Sequence, residues 1–186
     1  MVIGDEMTLK KWKKISVIII YLIAVLLHFL YDLIPGDFTA AFLPVNESVW
    51  EHLKMTLNAY LIFSILEYII LKKKNFQVNN YIFSLLTSSL GTILMTIVLF
   101  YPLFYTFGEN VIVTQIIYLI SIIFGTYLSF KVLTETTGEK ILNILSALIL
   151  LFFEFGFIYL TFNPRVDDIF IDKPNNKIGL YSYNPN

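Results

Sequence analysis

Two histidines and several carboxylates are the residues of this sequence whose types could do chemistry. His28 and Asp32 lie four residues apart in an apolar stretch, where a helix would put them on one face. Glu47, Glu51 and His52 follow in a polar segment that leads into the next apolar stretch. Imidazoles and carboxylates together form a ligand set for zinc, iron or manganese, and they can also relay protons.

A further carboxylate, Glu154, lies in the last apolar stretch of the chain. Ionisable groups inside a membrane are costly, so they indicate a functional site. Along an ideal helix, His28 would lie about 9 Å and Glu154 about 12 Å below the same membrane surface. The predicted polar site therefore draws on distant segments, and its members are His28, Asp32, Glu47, Trp50, Glu51, His52, Asn58 and Glu154. Six of these residues are candidate ligands of a divalent metal, namely His28, Asp32, Glu47, Glu51, His52 and Glu154.

Each of these residues also has a structural interpretation. Ser48 and Glu51 match a capping box, in which Glu51 would only secure the start of a helix. His28 could pair with Glu154, and Asp32 could reach water. The sequence carries no His-Glu-x-x-His zinc motif. The leading hypothesis is a module that binds a small ligand or membrane partner, or moves a solute. The alternatives are a metal-dependent hydrolase or transferase acting on lipid or envelope material, and a purely structural role.

The elements that must position these residues are membrane-spanning helices. Apolar residues make up 57% of the 186 residues and charged residues only 15%, whereas soluble domains carry roughly 25% charged residues. The mean hydropathy is +0.73, and the excess of apolar side chains must face lipid. Five stretches are long enough to span a bilayer as helices, namely 15–34, 53–71, 81–103, 111–130 and 141–162.

Helix-breaking residues separate these stretches and define two regions. Pro102 is predicted to end the third helix, and a turn at 136–138 separates the fourth from the fifth. The predicted organisation is a five-span domain over residues 1–162 and a polar extracytoplasmic tail over residues 163–186. A polar loop precedes the second span and carries Glu47.

The lysines indicate how the chain is oriented. Nine of them would lie on one side of the membrane: Lys10, Lys11, Lys13, Lys14, Lys72, Lys73, Lys74, Lys131 and Lys140. Lysine-rich connections stay in the cytoplasm. The predicted fold is therefore an all-α integral membrane bundle of five transmembrane helices, with the N-terminus inside, the C-terminus outside and the polar site in the outer half. Glu67, in the inner half, is predicted to pair with the lysines at 72–74.

Composition also excludes several classes of function. The net charge of −1 argues against a nucleic-acid partner, which requires a basic surface. The chain has no cysteine, so disulfides, thiolate nucleophiles and cysteine-based zinc sites are excluded. It also lacks a glycine-rich phosphate loop and a Gly-x-Ser-x-Gly elbow. The lipid bilayer is the one partner that composition predicts directly.

Three motifs resemble those of a family of small bacterial multi-span membrane proteins, a domain of unknown function. Residues 44–54 read PVNESVWEHLK, residues 28–32 read HFLYD, and the tail carries TFNP at 161–164 and IFIDKP at 169–174. Arg165 departs from the family pattern, which often has a second proline there. The resemblance implies a five-span protein of the bacterial plasma membrane and implies no activity. We also expect the tail to fold over the outer polar segments and to bring Asp167, Asp168 or Asp172 towards the histidines.

Overall fold

The chain folds into a bundle of long helices. A computed structural model describes residues 3–76, 78–108, 110–135 and 139–182. The predicted turn at 136–138 and the last four residues of the tail, 183–186, lie outside the described residues. The helices are α1 (Ile3–Leu33), α2 (Asp37–Phe42), α3 (Val49–Lys73), α4 (Tyr81–Phe107), α5 (Val111–Glu135) and α6 (Lys140–Phe162). All except α2 are long and apolar enough to cross a membrane, which confirms the predicted all-α membrane bundle.

The polar tail is short but ordered over its described part. A 3₁₀ turn at Asp168–Phe170 leads into three two-residue strands, β1 (Ile171–Asp172), β2 (Lys177–Ile178) and β3 (Tyr181–Ser182). The strands pair antiparallel in the order β1-β2-β3. So small a sheet is not stable by itself, and it depends on its contacts with the helices.

The third spanning helix continues beyond Pro102, where the sequence predicts its end. α4 runs to Phe107, and Gly108 follows with a φ of 74°. Proline lacks a backbone N–H, so one helical hydrogen bond is lost, but membrane helices tolerate this where other groups satisfy the freed backbone. The prediction that Pro102 ends the helix is therefore wrong.

Small residues let α4 and α5 pack closely. Ser84 Oγ and Ser129 Oγ are 2.8 Å apart, and Thr92 Oγ1 donates to the Ser121 carbonyl at 3.2 Å. A Cβ atom placed on Gly125 would lie 2.4 Å from the carbonyl oxygen of Ser88 on the other helix. Only glycine fits at that crossing, because any Cβ atom would clash with the Ser88 carbonyl. Such a close approach of two backbones favours the association of membrane helices.

A buried ion pair joins three helices at the end of the bundle that carries the N-terminus, which we call the inner end. Lys13 Nζ lies 2.6 Å from Glu67 Oε1 and donates to Ser129 Oγ at 2.6 Å. Trp12 Nε1 donates to the same carboxylate at 3.1 Å. The prediction that Glu67 pairs with the lysines at 72–74 is wrong, because Glu67 faces the bundle interior, where α1 presents Lys13.

Candidate functional site

The two histidines of the chain meet one carboxylate at the outer end of the bundle. His28 lies near the end of α1, His52 lies in the first turn of α3, and Glu47 lies in the connection between α2 and α3. The Nε2 atoms of His28 and His52 are 3.2 Å apart. Glu47 Oε2 lies 3.3 Å from the first of these nitrogens and 3.6 Å from the second. We call these three residues the His–Glu cluster.

The spacing of the His–Glu cluster matches that of a metal's ligands. Ligand atoms about 2.0–2.1 Å from a tetrahedral zinc ion lie about 3.3 Å from one another. The three observed separations, 3.2, 3.3 and 3.6 Å, fall around that value. Within the described part of the chain, this is the one group of three potential ligands whose atoms converge in this way. Three protein ligands leave the fourth tetrahedral position open.

A hydrogen bond fixes the His52 ring in a suitable tautomer. Its Nδ1 lies 2.9 Å from the carbonyl oxygen of Ser48, one turn earlier. A carbonyl oxygen only accepts, so Nδ1 carries a proton and the neutral ring presents the lone pair of Nε2 to the cluster. Metal-bound histidines commonly have this support on the far ring nitrogen. For His28, the corresponding Nδ1 is buried without a hydrogen-bond partner among the described residues.

Glu47 contributes a carboxylate that is held in its ionised form. The His28 imidazole, which hydrogen-bonds this carboxylate, lowers the pKa of Glu47, and a positive charge on either imidazole, when it is protonated, acts in the same direction. Partial burial opposes both effects without overcoming them. The side chains of Glu47, His28 and His52 are 48%, 26% and 33% exposed, so a ligand can reach the cluster from outside. An ionised carboxylate is the form that binds a cation.

The C-terminal tail positions the segment that carries Glu47. Asp172 Oδ2 accepts a hydrogen bond from the Glu47 backbone N–H at 3.0 Å. Asn46 Nδ2 donates to the Gly179 carbonyl at 2.8 Å, and Asn46 Oδ1 accepts from the Ser48 backbone N–H at 2.8 Å. The segment before α3 is thus tied on one side to the tail and on the other to the helix start.

Trp50 and the other two tail acids lie away from the cluster. The indole of Trp50 packs between Phe157 and Phe170, with ring centroids 4.6 and 4.8 Å away, and so joins the tail to α6. Asp167 pairs with Arg165, and Asp168 pairs with Lys173, both on the exposed surface. Of the three tail acids expected near the histidines, only Asp172 contacts the segment that carries Glu47, and it does so through the backbone.

A second polar group close to the cluster is closed off from solvent. Lys54 Nζ lies 2.6 Å from Glu51 Oε2 and also donates to Thr161 Oγ1 at 2.9 Å and to the Ala40 carbonyl at 2.7 Å. Thr161 Oγ1 donates to Glu51 Oε1 at 2.7 Å, and the Val45 backbone N–H donates to Glu51 Oε2 at 3.2 Å. Glu51 and Lys54 are 1% and 0% exposed. We call Glu51, Lys54 and Thr161 the sealed cluster.

The structure therefore brings together three of the eight residues predicted for the polar site. Glu51 belongs to the sealed cluster, although Ser48 Oγ also accepts from its backbone N–H at 3.4 Å as the capping box predicts. Asp32 is exposed one turn beyond His28. A helix that included Glu47 would have aligned it with Glu51, but α3 begins at Val49. Glu47 precedes the helix and turns to the histidines instead.

Glu154 lies deeper in the bundle, near Asn58 and Lys54. Both of its carboxyl oxygens are buried without a hydrogen-bond partner among the described residues. Asn58 donates to the Lys54 carbonyl at 3.1 Å. Glu154 thus faces the sealed cluster, and neither His28 nor His52 contacts it in the structure. The structural alternative that paired His28 with Glu154 is wrong.

A cavity of about 580 Å³ adjoins the His–Glu cluster. It lies between α1, α3, α4 and α5, and its wall includes His28, Glu47 and His52. The sequence analysis missed its polar wall residues Gln115 and Tyr118. Both are uncharged polar residues in an apolar span, and that feature could have singled them out. The cavity lies within the 300–1,000 Å³ typical of ligand sites.

Comparison with known proteins identifies the chain only at the level of its family. No curated protein and no solved structure matches it. A family description does match, over residues 1–180, and therefore across the helices, the His–Glu cluster and the first two tail strands. The chain belongs to the family of unknown function DUF6512.

Proposed function

We propose that this membrane protein binds one divalent transition-metal ion of the zinc class through His28, Glu47 and His52. The observation that carries the proposal is the triangle of ligand atoms, with sides of 3.2, 3.3 and 3.6 Å. Two imidazoles and one carboxylate bind zinc in catalytic sites, and the same set binds iron in non-haem oxygenases. The metal would hold a small ligand or substrate in its open position, next to the cavity.

The proposal can be tested by measuring the metal content of the purified full chain. After dialysis against zinc, we expect about one zinc per chain and at least a 100-fold loss of affinity in His28→Ala, Glu47→Gln and His52→Ala. That loss exceeds the roughly 10–100-fold effect of removing a residue that only supports a ligand. Asp32→Asn and Glu154→Gln serve as matched controls and should keep the metal.

One result would contradict the metal proposal directly. If the purified chain bound zinc, manganese and cobalt no better than the His28→Ala variant, the His–Glu cluster would be a hydrogen-bonded group only. Equal loss in the control variants would point to general unfolding, so their thermal transitions are measured in the same detergent.

The open metal position favours a second candidate, a metal-dependent hydrolase or transferase acting on lipid or envelope material. Catalytic zinc sites hold three protein ligands and keep the fourth position for water, whose pKa the metal lowers to about 7. Incubation of the zinc-loaded chain with radiolabelled bacterial lipid extract tests this candidate. Product that forms with the wild type and not with Glu47→Gln would support an enzyme, and absence of product in both would leave the binding function alone.

The location in a bacterial cell membrane is part of the proposal, because the motif resemblance supports it. The chain has no cysteine, so single-cysteine variants report sidedness cleanly. Lys173→Cys in the tail should react with an impermeant maleimide in intact cells, whereas Lys72→Cys should react only after lysis. The reverse pattern would overturn the predicted orientation.

A further inference from the structure

We propose that the cavity beside the His–Glu cluster takes one acyl chain of an anionic membrane lipid, with the head group on the metal. The inference rests on the proposed function for its metal, and it adds the class of ligand. It follows from the cavity's wall, its opening and its direction through the bundle.

The cavity wall suits a hydrocarbon chain because its hydroxyl groups already have partners in the protein. Tyr21 Oη donates to Gln115 Oε1 at 2.9 Å, and Thr56 Oγ1 donates to the His52 carbonyl at 2.8 Å. The Oγ1 atoms of the remaining two threonines in the wall, Thr96 and Thr114, donate to the carbonyls of Thr92 and Asn110, four residues earlier in the chain. A sugar or peptide would find few free donors there, whereas an acyl chain needs none.

The cavity opens on the lipid-facing side of the bundle. Phe29 and Val111 belong to its wall, yet they are 60% and 73% exposed. Both lie within membrane-spanning helices, Phe29 in α1 and Val111 at the start of α5. A ligand can therefore enter sideways from the bilayer without crossing water, as a lipid must.

The direction of the cavity matches the direction of a lipid in the outer leaflet. From His28 to Tyr21 the wall follows seven residues of α1 towards the membrane centre, a depth of about 10 Å. The metal ligands lie at the outer end, where head groups lie, and the apolar residues lie below them. A head group that donates anionic oxygens would fill the open metal position, since carboxylate and phosphate oxygens are ligands of divalent metals.

The test measures binding of radiolabelled palmitate to the zinc-loaded full chain in detergent. Val25→Trp places a large side chain in the cavity wall, and Leu26→Trp places the same side chain on the neighbouring residue, which faces lipid and is 69% exposed. We expect Val25→Trp to lower palmitate affinity at least about 10-fold while keeping its zinc. Leu26→Trp should bind palmitate and zinc as the wild type does.

Three further measurements separate the possible failures. Hexadecanol, which has the same chain without the carboxylate, should bind at least about 10-fold more weakly than palmitate, and butyrate should not compete. Equal binding of hexadecanol would overturn the role of the head group, and competition by butyrate would overturn the role of the chain. Zinc retained without any palmitate binding would sink this inference alone, whereas a chain without zinc would sink the proposed function.

Discussion

The sealed cluster and the His–Glu cluster show how two polar groups built from one short segment take on different roles. Glu51 and Lys54 are buried completely, and every charged atom has a partner within the protein. Glu47 and His52 come from the same connection and helix start, yet their side chains are partly exposed and meet His28 beside a cavity. Neighbouring positions in the sequence thus belong to two distinct environments.

The sealed cluster supports the fold, whereas the His–Glu cluster is the site that we propose binds a metal. A buried charge must be paired, because leaving it unpaired costs several kcal/mol. The sealed cluster satisfies that demand internally and joins α2, α3 and α6. The His–Glu cluster instead directs two imidazole nitrogens and one carboxylate oxygen at one place, an arrangement that becomes favourable when a cation takes the place of the proton between them.

Breaking the sealed cluster should have the largest effect on stability. Lys54→Met leaves the Glu51 carboxylate buried without its cation, and we expect a loss of about 3–5 kcal/mol in the free energy of unfolding. Chemical unfolding in mixed micelles measures it. Adding Glu51→Met to the same chain should restore most of that loss, because the unpaired charge is gone.

The His–Glu cluster provides the contrast for that measurement. His28→Ala should lower the metal-free stability by no more than about 1 kcal/mol, since the ring is partly exposed. If Lys54→Met were as mild as His28→Ala, the sealed cluster would not be the structural element that we describe.

Removing the support that the tail gives to Glu47 should weaken metal binding without abolishing it. Asp172→Asn replaces the carboxylate that accepts the Glu47 backbone N–H, and loss of such support lowers metal affinity about 10–100-fold. Zinc titration with a competing chelator measures the change. Asp168→Asn, at an exposed position in the same tail, is the control and should leave affinity unaltered. Equal affinity in both variants would show that the tail does not position the ligand.

A glycine in the tail should decide whether the tail stays docked. Gly179 has a φ of 51°, and a Cβ there would lie 2.3 Å from the Thr161 carbonyl oxygen. Gly179→Ala should therefore strain the backbone by about 1 kcal/mol and also push the tail away from α6. Trypsin should then cleave faster after Lys177, which precedes Ile178.

Gly108→Ala is the matched control for that experiment. Its φ is 74°, but nothing lies within 4 Å of the added Cβ. Its ψ of −169° places it in a region that is open almost only to glycine, so we expect a loss of stability of about 1–3 kcal/mol from backbone strain. We expect no change in tail cleavage. Faster cleavage in Gly108→Ala would mean that cleavage reports general instability and not the docking of the tail.

The smallest effect belongs to the exposed ion pairs of the tail. Arg165 and Asp167 are 74% and 54% exposed, although their charged atoms are 3.2 Å apart. Solvent screens such pairs. Asp167→Asn should change neither the unfolding transition nor the zinc affinity, and a measurable change in either would mean that the tail surface matters beyond the contacts of Asp172.

Hydropathy was enough to predict the spans, because an apolar helix in lipid satisfies its own backbone. The end of α4 was missed because a single proline near a helix terminus removes only one hydrogen bond.

The composition of the site could be predicted, but the partners within it could not. All three members of the His–Glu cluster were among the eight predicted residues. Glu47 and Glu51 belong to different clusters because α3 begins after Glu47. The start of α3 is set by hydrogen bonds of Asn46 and Ser48 and by the distant tail residues Asp172 and Gly179. Contacts between residues more than one hundred positions apart, such as Asn46 with Gly179 and Glu47 with Asp172, leave no periodic signal in the sequence.

X-ray absorption spectroscopy of the zinc-loaded chain would identify the atoms that bind the metal and their distances from it. It should detect two imidazole nitrogens about 2.0–2.1 Å from the metal and a carboxylate oxygen at about 2.0–2.2 Å. The imidazole signal should halve in His52→Ala reconstituted at high zinc concentration. A zinc surrounded by oxygen alone, with no imidazole signal in the wild type, would contradict the account.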